Sequence, residues 1–330
     1  WDKEIAGYWV AKYAAGFQEC TQTVSGSTVT EPTINAGNVK YSDKYYTSWS
    51  NNTSYITNAL SQNLSSSGYA TQKLSYPVFK PLTYAYNMIS TGDIYTISQE
   101  IAKASSFYGL DSTKTDSHQM KNSEWGAVAY LTQSDKGRNR AEVTINSKNM
   151  NNSSKVIYAV TGYAENTENG ISASSTNNKT GIFDLSGCVW ERTAAYISNG
   201  NEHINSYGKS YASIVANTNG YQILSTKYAT VYPYNSLSDS DTNNYSDYSG
   251  KKSAIYGFGD AVLETSAVGT NMTSWNSDYS YFPNTLGPFF GHGGCCCDNS
   301  GAGVFAFHID ASPAWNLQRF PLSACRSVVL

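Results

Sequence analysis

Six cysteines and four histidines are the side chains in this sequence best suited to carry chemistry. Cys295, Cys296 and Cys297 are consecutive, with His292 upstream and Asp298 directly after them. A structural zinc site calls for paired Cys-x-x-Cys or Cys/His spacings, which three adjacent thiols do not supply. Adjacent cysteines rarely bond to each other because bridge geometry disfavours it. No disulfide framework is expected, since Cys20 and Cys188 stand alone and Cys325 lies near the end. His118 falls in a polar stretch and His203 follows Asn-Gly-Asn-Glu, so both read as surface residues rather than general bases. No Gly-x-Ser-x-Gly elbow, phosphate loop, paired-carboxylate or metalloprotease pattern is present. Trp275-Asn276-Ser277-Asp278 offers oxygen atoms of the kind calcium takes. The sequence therefore predicts no catalytic residue, no metal site and no cofactor, calcium being the one ion left open.

The last forty residues point to contact instead of catalysis. Gly303-Val304-Phe305-Ala306-Phe307 and Ser327-Val328-Val329-Leu330 read as buried strands. Between them the chain has neither strand nor helix period, yet it carries bulky, charged and sulfur-bearing side chains. A capping loop would be polar, so this stretch reads as a binding face held on a rigid frame. The residues assigned to it are His292, Cys295, Cys296, Cys297, Asp298, His308, Ile309, Asp310, Ser312, Pro313, Trp315, Asn316, Leu317, Arg319, Phe320, Pro321 and Leu322. Trp315 and Phe320 would be the aromatic anchors, with Arg319, Asp310 and His308 giving polar selectivity.

The frame must come from the rest of the chain. Hydrophobic residues make up 40% of the 330, enough for a core, while charged residues are only 14%, against roughly 25% in ordinary soluble domains. Ser, Thr, Asn, Gly and the hydroxyls of 27 Tyr must carry solubility, a composition common in extracellular and virion proteins. A net charge of −3 and one adjacent basic pair, Lys251-Lys252, leave no stripe for nucleic acid. No apolar stretch approaches the roughly 18 residues of a membrane span. No signal peptide is seen, and the opening Trp1 suggests that an N-terminal piece has been removed.

Gly7 to Tyr13 alternates like a half-buried first strand. Residues 24–75 read as loops around one weak helix near 55–64. A helix is expected over Ile94 to Ser105, its inward face formed by Ile94, Ile97, Ile101 and Ala104. A second is expected after a cap at Asn122 or Ser123, with Trp125, Val128, Ala129 and Leu131 inward. Gly126 within it suggests close backbone packing, at a cost of about 1 kcal/mol relative to Ala. Beyond Lys136 short strands alternate with polar loops, and no repeat or linker divides the chain. The fold class is α+β.

Four segments, taken in order, carry a resemblance. Thr180-Gly181-Ile182-Phe183-Asp184-Leu185-Ser186-Gly187-Cys188-Val189-Trp190-Glu191 is similar to the G-x-x-D-M-S-G-N-V-W-E-W signature of C-type-lectin-like domains of the formylglycine-generating-enzyme type. Asn122 to Leu131 matches the place of that family's second helix, Pro288 to Gly294 resembles its R-G-G segment, and Ala324 to Leu330 resembles its closing strand. The resemblance implies a single domain over 1–330 with two helices, short twisted antiparallel strands and long polar loop insertions. Its scaffold motif would be Trp125, Asp184, Gly187, Trp190, Glu191, Gly293, Gly294 and Arg326. Asp184, Ser186 and Gly187 would make a turn, after which Trp190 buries its ring beneath the sheet. Cys188 stands where the family has Asn, His292 where it has Arg, and Cys325-Arg326-Ser327 alters its Phe-Arg. An oxidase like the family's namesake would need paired active-site cysteines with Arg and His neighbours; Cys325 beside Arg326 lacks that motif.

Within that fold the chain more closely resembles the variable proteins of diversity-generating retroelements, found in phages and gut bacteria. In them Gly-Val-Phe-Ala-Phe precedes a hypervariable stretch and a strand ending Val-Val-Leu. Randomising template adenines turns Asn codons into codons that cannot encode Lys, Glu, Met, Gln or Trp. The first 290 residues hold 17 Lys, 11 Glu and 4 Met, so about four would fall in the last forty by composition, and none does. Trp315 and Gln318 do not follow that rule and require other codons. The resemblance implies a variable region at about 292–325 that binds a protein or glycan on another cell, from a virion or bacterial surface and without enzymatic action. A non-diversified surface adhesin or pilus-tip protein is the alternative. The ligand and oligomeric state are not readable from the sequence.

Overall fold

The computed structural model describes residues 7–21, 24–25, 28–29, 33–34, 41–49, 69–75, 77–86, 89–103, 108–147, 159–163, 170–198, 202–208, 211–212, 226–232, 259–262, 272–273, 275–283, 287–311, 323–325 and 327–329. Arg326 and the whole of 312–322 lie outside the described residues, as does the helix expected near 55–64. The chain is an α+β protein with a mixed central sheet and few helices.

The first strand, β1 (Trp9–Val10), is shorter than its alternation predicts, and Trp9 is 79% exposed. Strand β2 (Gly16–Thr21) follows, and the expected loop region contains strands: β3 (Val24–Ser25), β4 (Thr28–Val29), β5 (Thr33–Ile34), and a long hairpin of β6 (Tyr41–Trp49) with β7 (Tyr69–Ser75). Thr and Tyr favour a pleated surface even where Ser and Asn dilute the pattern. Strand β8 (Thr83–Ala85) pairs with β2.

Helix α1 (Thr91–Lys103) starts before the expected Ile94 because Ser90 caps it. The Asp93 amide donates to Ser90 Oγ at 3.2 Å, and the Ile94 amide donates to the Ser90 carbonyl at 2.9 Å. Ile94, Ile97 and Ile101 face inward as expected. After β9 (Ser117–Gln119), helix α2 spans Asn122–Gln133. Its cap is Lys121, not Asn122 or Ser123: the Lys121 amide donates to Glu124 Oε2 at 2.9 Å, the reaching-back half of a capping box. Trp125, Val128 and Ala129 are buried as expected, while Leu131 is only half-buried and Thr132 takes the inward place. A Cβ on Gly126 would stand 1.8 Å from the Gly259 carbonyl oxygen, so close backbone packing is the reason for a glycine there.

Strand β10 (Trp190–Ile197) is buried along its whole length and organises the main sheet. A third helix, α3 (Glu202–Tyr207), was not anticipated; it carries His203, whose ring stacks on Tyr207. Six residues give too little periodicity to read. Then come β11 (Thr230–Tyr232), β12 (Met272–Thr273), β13 (Tyr279–Ser280), β14 (Phe289–Gly293), β15 (Gly303–Asp310), β16 (Ser323–Cys325) and β17 (Ser327–Val329). The sheet order is β11-β10-β14-β15-β13-β12. Strands β11 and β16 share the remaining edge of β10, at Ala195–Ile197 and Trp190–Arg192 respectively. These two pairings and β13 with β15 are parallel, which corrects the expectation of antiparallel strands alone. Parallel neighbours need long crossovers, and the polar insertions supply that length. In a smaller sheet β17 lies between β1 and β9, so the closing strand is tied to the opening one.

Candidate ligand-binding surface

Strand β15 separates frame from face by its alternation. Phe305 joins Trp125, Val128 and Leu185 in the core beneath α2, and Phe307 joins Phe282, Phe290 and Ile197 in the next cluster. Burying each such phenylalanine contributes about 1.5–3 kcal/mol. Ala306 points the other way, against Trp190 and Cys295. Further along the same side, His308 is half-buried among the rings of Trp190, Tyr279 and Tyr281, each centroid 5.5 Å away. Burial pulls its pKa down to about 4, against the opposing pull of the Ile309 carbonyl and Asp310, so at neutral pH the ring is an uncharged aromatic.

The loop joining β14 to β15 is set by a turn far earlier in the chain. Asp184 is buried at φ +62°. Its carboxylate accepts from the Gly162 amide at 2.8 and 2.9 Å and from Asn146 Nδ2 at 2.9 Å. Gly187, at φ +78°, donates its amide to the Gly293 carbonyl at 2.9 Å, and the Cys296 amide donates to the Cys188 carbonyl at 3.0 Å. Gly293 and Gly294 turn the chain at φ +87° and +76°, and a Cβ on Gly294 would meet Ala302 Cα at 2.5 Å. Trp190 packs against this loop, in one buried cluster with Cys295 and Ala306. The Asp184-to-Trp190 motif thus fixes the Cys295–Cys297 loop beside the half-buried end of β15. Glu191 is buried in β10 opposite His292 and beside Ala324.

Several residues assigned to the face are elsewhere. His292 is fully buried, its ring 5.0 Å from Trp125 and its Nε2 2.9 Å from Asn122 Oδ1. It is a core residue because Asn122 offers that polar partner; the same amide accepts from Thr193 Oγ1 at 2.6 Å and donates to Tyr232 Oη at 3.0 Å. Cys295 and Cys296 are also buried, whereas Cys297 is exposed and Asp298, Ile309 and Asp310 are half-buried. The cysteines correct a second expectation: Cys295 and Cys297 form a disulfide, skipping Cys296. The turn brings their Cα atoms to 5.3 Å, inside bridging range, which directly adjacent residues do not reach so readily. Ser312, Pro313, Trp315, Asn316, Leu317, Arg319, Phe320, Pro321 and Leu322 lie outside the described residues.

Asp310 is also less free than expected. Its carboxylate accepts from Arg192 Nε at 2.7 Å and Nη2 at 3.2 Å, while Arg192 Nη1 donates to the Ile89 carbonyl. Arg192 is only 5% exposed. Sequence reasoning missed this pair; a charged residue inside the apolar Trp190-to-Ile197 run was the available signal. Asp278 is buried too, with Oδ2 accepting from the Phe305 amide at 2.9 Å. Trp275, Asn276 and Ser277 beside it are exposed. His118 is a buried partner of Glu124, at 2.9 Å, rather than a surface residue.

Two buried groups give opposing pH dependences. Burial chiefly raises the Asp278 pKa to about 7, with Glu142 adding to it. A folded value above the unfolded one gives stability that is full below about pH 4 and lost as pH rises through 7. His308 is depressed to about 4, so its contribution is full above about 6.5 and lost as pH falls through 4. Between pH 4 and 6.5 the two slopes oppose each other, each at most about 1.4 kcal/mol per pH unit. Asp278→Asn should therefore make stability rise with pH across that window, and His308→Phe should make it fall. Urea unfolding at several pH values checks this; variant profiles parallel to the parent's would refute both assignments.

No protein-family model matches the chain, and no curated protein matches it. Among the described residues no helix is long and apolar enough to cross a membrane.

Proposed function

We propose that this chain is a C-type-lectin-like domain of the formylglycine-generating-enzyme type that serves as a ligand-binding protein diversified by a retroelement. One observation carries the reading. Strand β15 commits Phe305 and Phe307 to the core and then presents His308 to Asp310 half-buried, leading into the unpatterned run that holds Trp315, Arg319 and Phe320. On this reading the frame tolerates changes along that run, as a rigid scaffold tolerates changes in its binding loops. The Asp184-to-Trp190 turn, fixing the neighbouring loop, supports the lectin-like subtype. The partner would be a protein or glycan on another cell, met from a virion or bacterial surface and bound without chemical change.

A second reading, a non-diversified adhesin, is favoured by the fixed partners of two assigned positions: Asp310 is ion-paired to Arg192, and Cys295 is bonded to Cys297. Sequencing the coding locus separates the two. The diversified reading expects a nearby near-identical repeat differing only at adenines, with a reverse transcriptase gene beside it. A locus without either refutes diversification and leaves the adhesin.

A further inference from the structure

The Cys295-Cys296-Cys297-Asp298 turn gathers more ligand chemistry than a binding face requires. Cys295 Sγ, Cys297 Sγ and an Asp298 carboxylate oxygen lie within 4.8 Å of one another. Asp298 is held in place by the Cys295 amide, which reaches its Oδ2 at 2.7 Å. Its other oxygen, Oδ1, stands 4.0 Å from Cys297 Sγ. Cys297 is exposed, so this side of the turn opens to solvent. Cys296 points away into the apolar cluster with Cys188 and Val189, and its amide is anchored on the Cys188 carbonyl.

We propose that the reduced form of this turn binds a thiophilic divalent cation, zinc being the type case, through the Cys295 and Cys297 thiolates and Asp298 Oδ1. Tetrahedral zinc holds sulfur at about 2.3 Å and carboxylate oxygen at about 2.0–2.2 Å. Neighbouring ligand atoms then sit roughly 3.5–3.8 Å apart, a spacing the three atoms reach once the sulfur–sulfur bond opens. The exposed side leaves a fourth position for water. Cys296 does not compete, since its side chain is buried in the apolar cluster with Cys188 and Val189. His292 does not join, because its ring is committed to Asn122 and Trp125.

Reduction breaks the Cys295–Cys297 bond and adds two electrons and two protons. A dithiol supplies them by closing its own disulfide; a trialkylphosphine supplies the electron pair and leaves as its oxide, with water providing the oxygen and both protons. Binding the cation then releases the two thiol protons to solvent.

The test uses the full chain and cobalt(II) as probe. Phosphine-reduced protein freed of phosphine should show a thiolate-to-cobalt charge-transfer band saturating at one cobalt per chain, displaced by zinc. The oxidised protein should show none. Cys297→Ser, at an exposed position, should lose the band, and Asp298→Asn should weaken cobalt binding about tenfold or more, both with an unchanged circular dichroism spectrum. A reduced parent that gives no band overturns the site, as does a band that survives Cys297→Ser. Neither outcome bears on what the 312–322 run binds.

Discussion

Asp310→Ala is expected to destabilise the protein by about 3–5 kcal/mol, the cost of leaving a buried guanidinium without its carboxylate. Arg192 is 5% exposed, and two of its nitrogens donate to Asp310. Nη1 donates to the Ile89 carbonyl. Asp310→Asn keeps one acceptor and should lose less, and Arg192→Met in the Asp310→Ala background should recover part of the loss by removing the orphaned charge. Denaturant unfolding of the three variants measures this. An Asp310→Ala protein within about 0.5 kcal/mol of the parent, as surface substitutions usually are, would show that Asp310 is an ordinary face residue. The result also sorts the two functional readings, since a position this costly to change tolerates little diversification.

Asp184→Ala should be of similar size and should act at a distance. Three donors lose their acceptor: the Gly162 amide, Asn146 Nδ2 and, at 3.4 Å, the Ala14 amide. Each buried donor left unsatisfied costs about 1–3 kcal/mol. Alanine also takes φ +62° less readily than aspartate. At least about 3 kcal/mol is expected on those two grounds. Because the turn holds Gly293 through Gly187 and Cys296 through Cys188, its loosening should also expose the Cys296 thiol. Native-state labelling with a thiol reagent should be much faster at Cys296 in the variant, while the parent labels it slowly. Equal labelling rates would mean that the turn does not support the loop.

What the sequence made legible was local. Trp125 facing inward, Gly126 requiring a close neighbour, the Asp184-to-Gly187 turn and the buried Gly303-to-Phe307 strand all follow from patterns a few residues long. What it hid was non-local. His292 looked like a contact residue because the feature that buries it, the Asn122 amide, lies 170 positions away. Asp310 looked free because Arg192 lies 118 positions away. The mixed direction of the sheet depends on where long polar insertions cross, and insertions of Ser, Thr and Asn carry no period that reveals their path. The Cys295–Cys297 bond depended on a turn that three consecutive cysteines do not announce.

The central claim is that the frame's stability does not draw on the side chains of the 315–322 run, and a pair of libraries tests it most directly. One randomises positions 315, 316, 317, 319, 320 and 322; the other randomises Phe290, Phe305 and Phe307. Protease resistance of individual members gives the folded fraction of each. The account predicts that most members of the first library stay folded and nearly all of the second do not. A first library that unfolds as often as the second would contradict it.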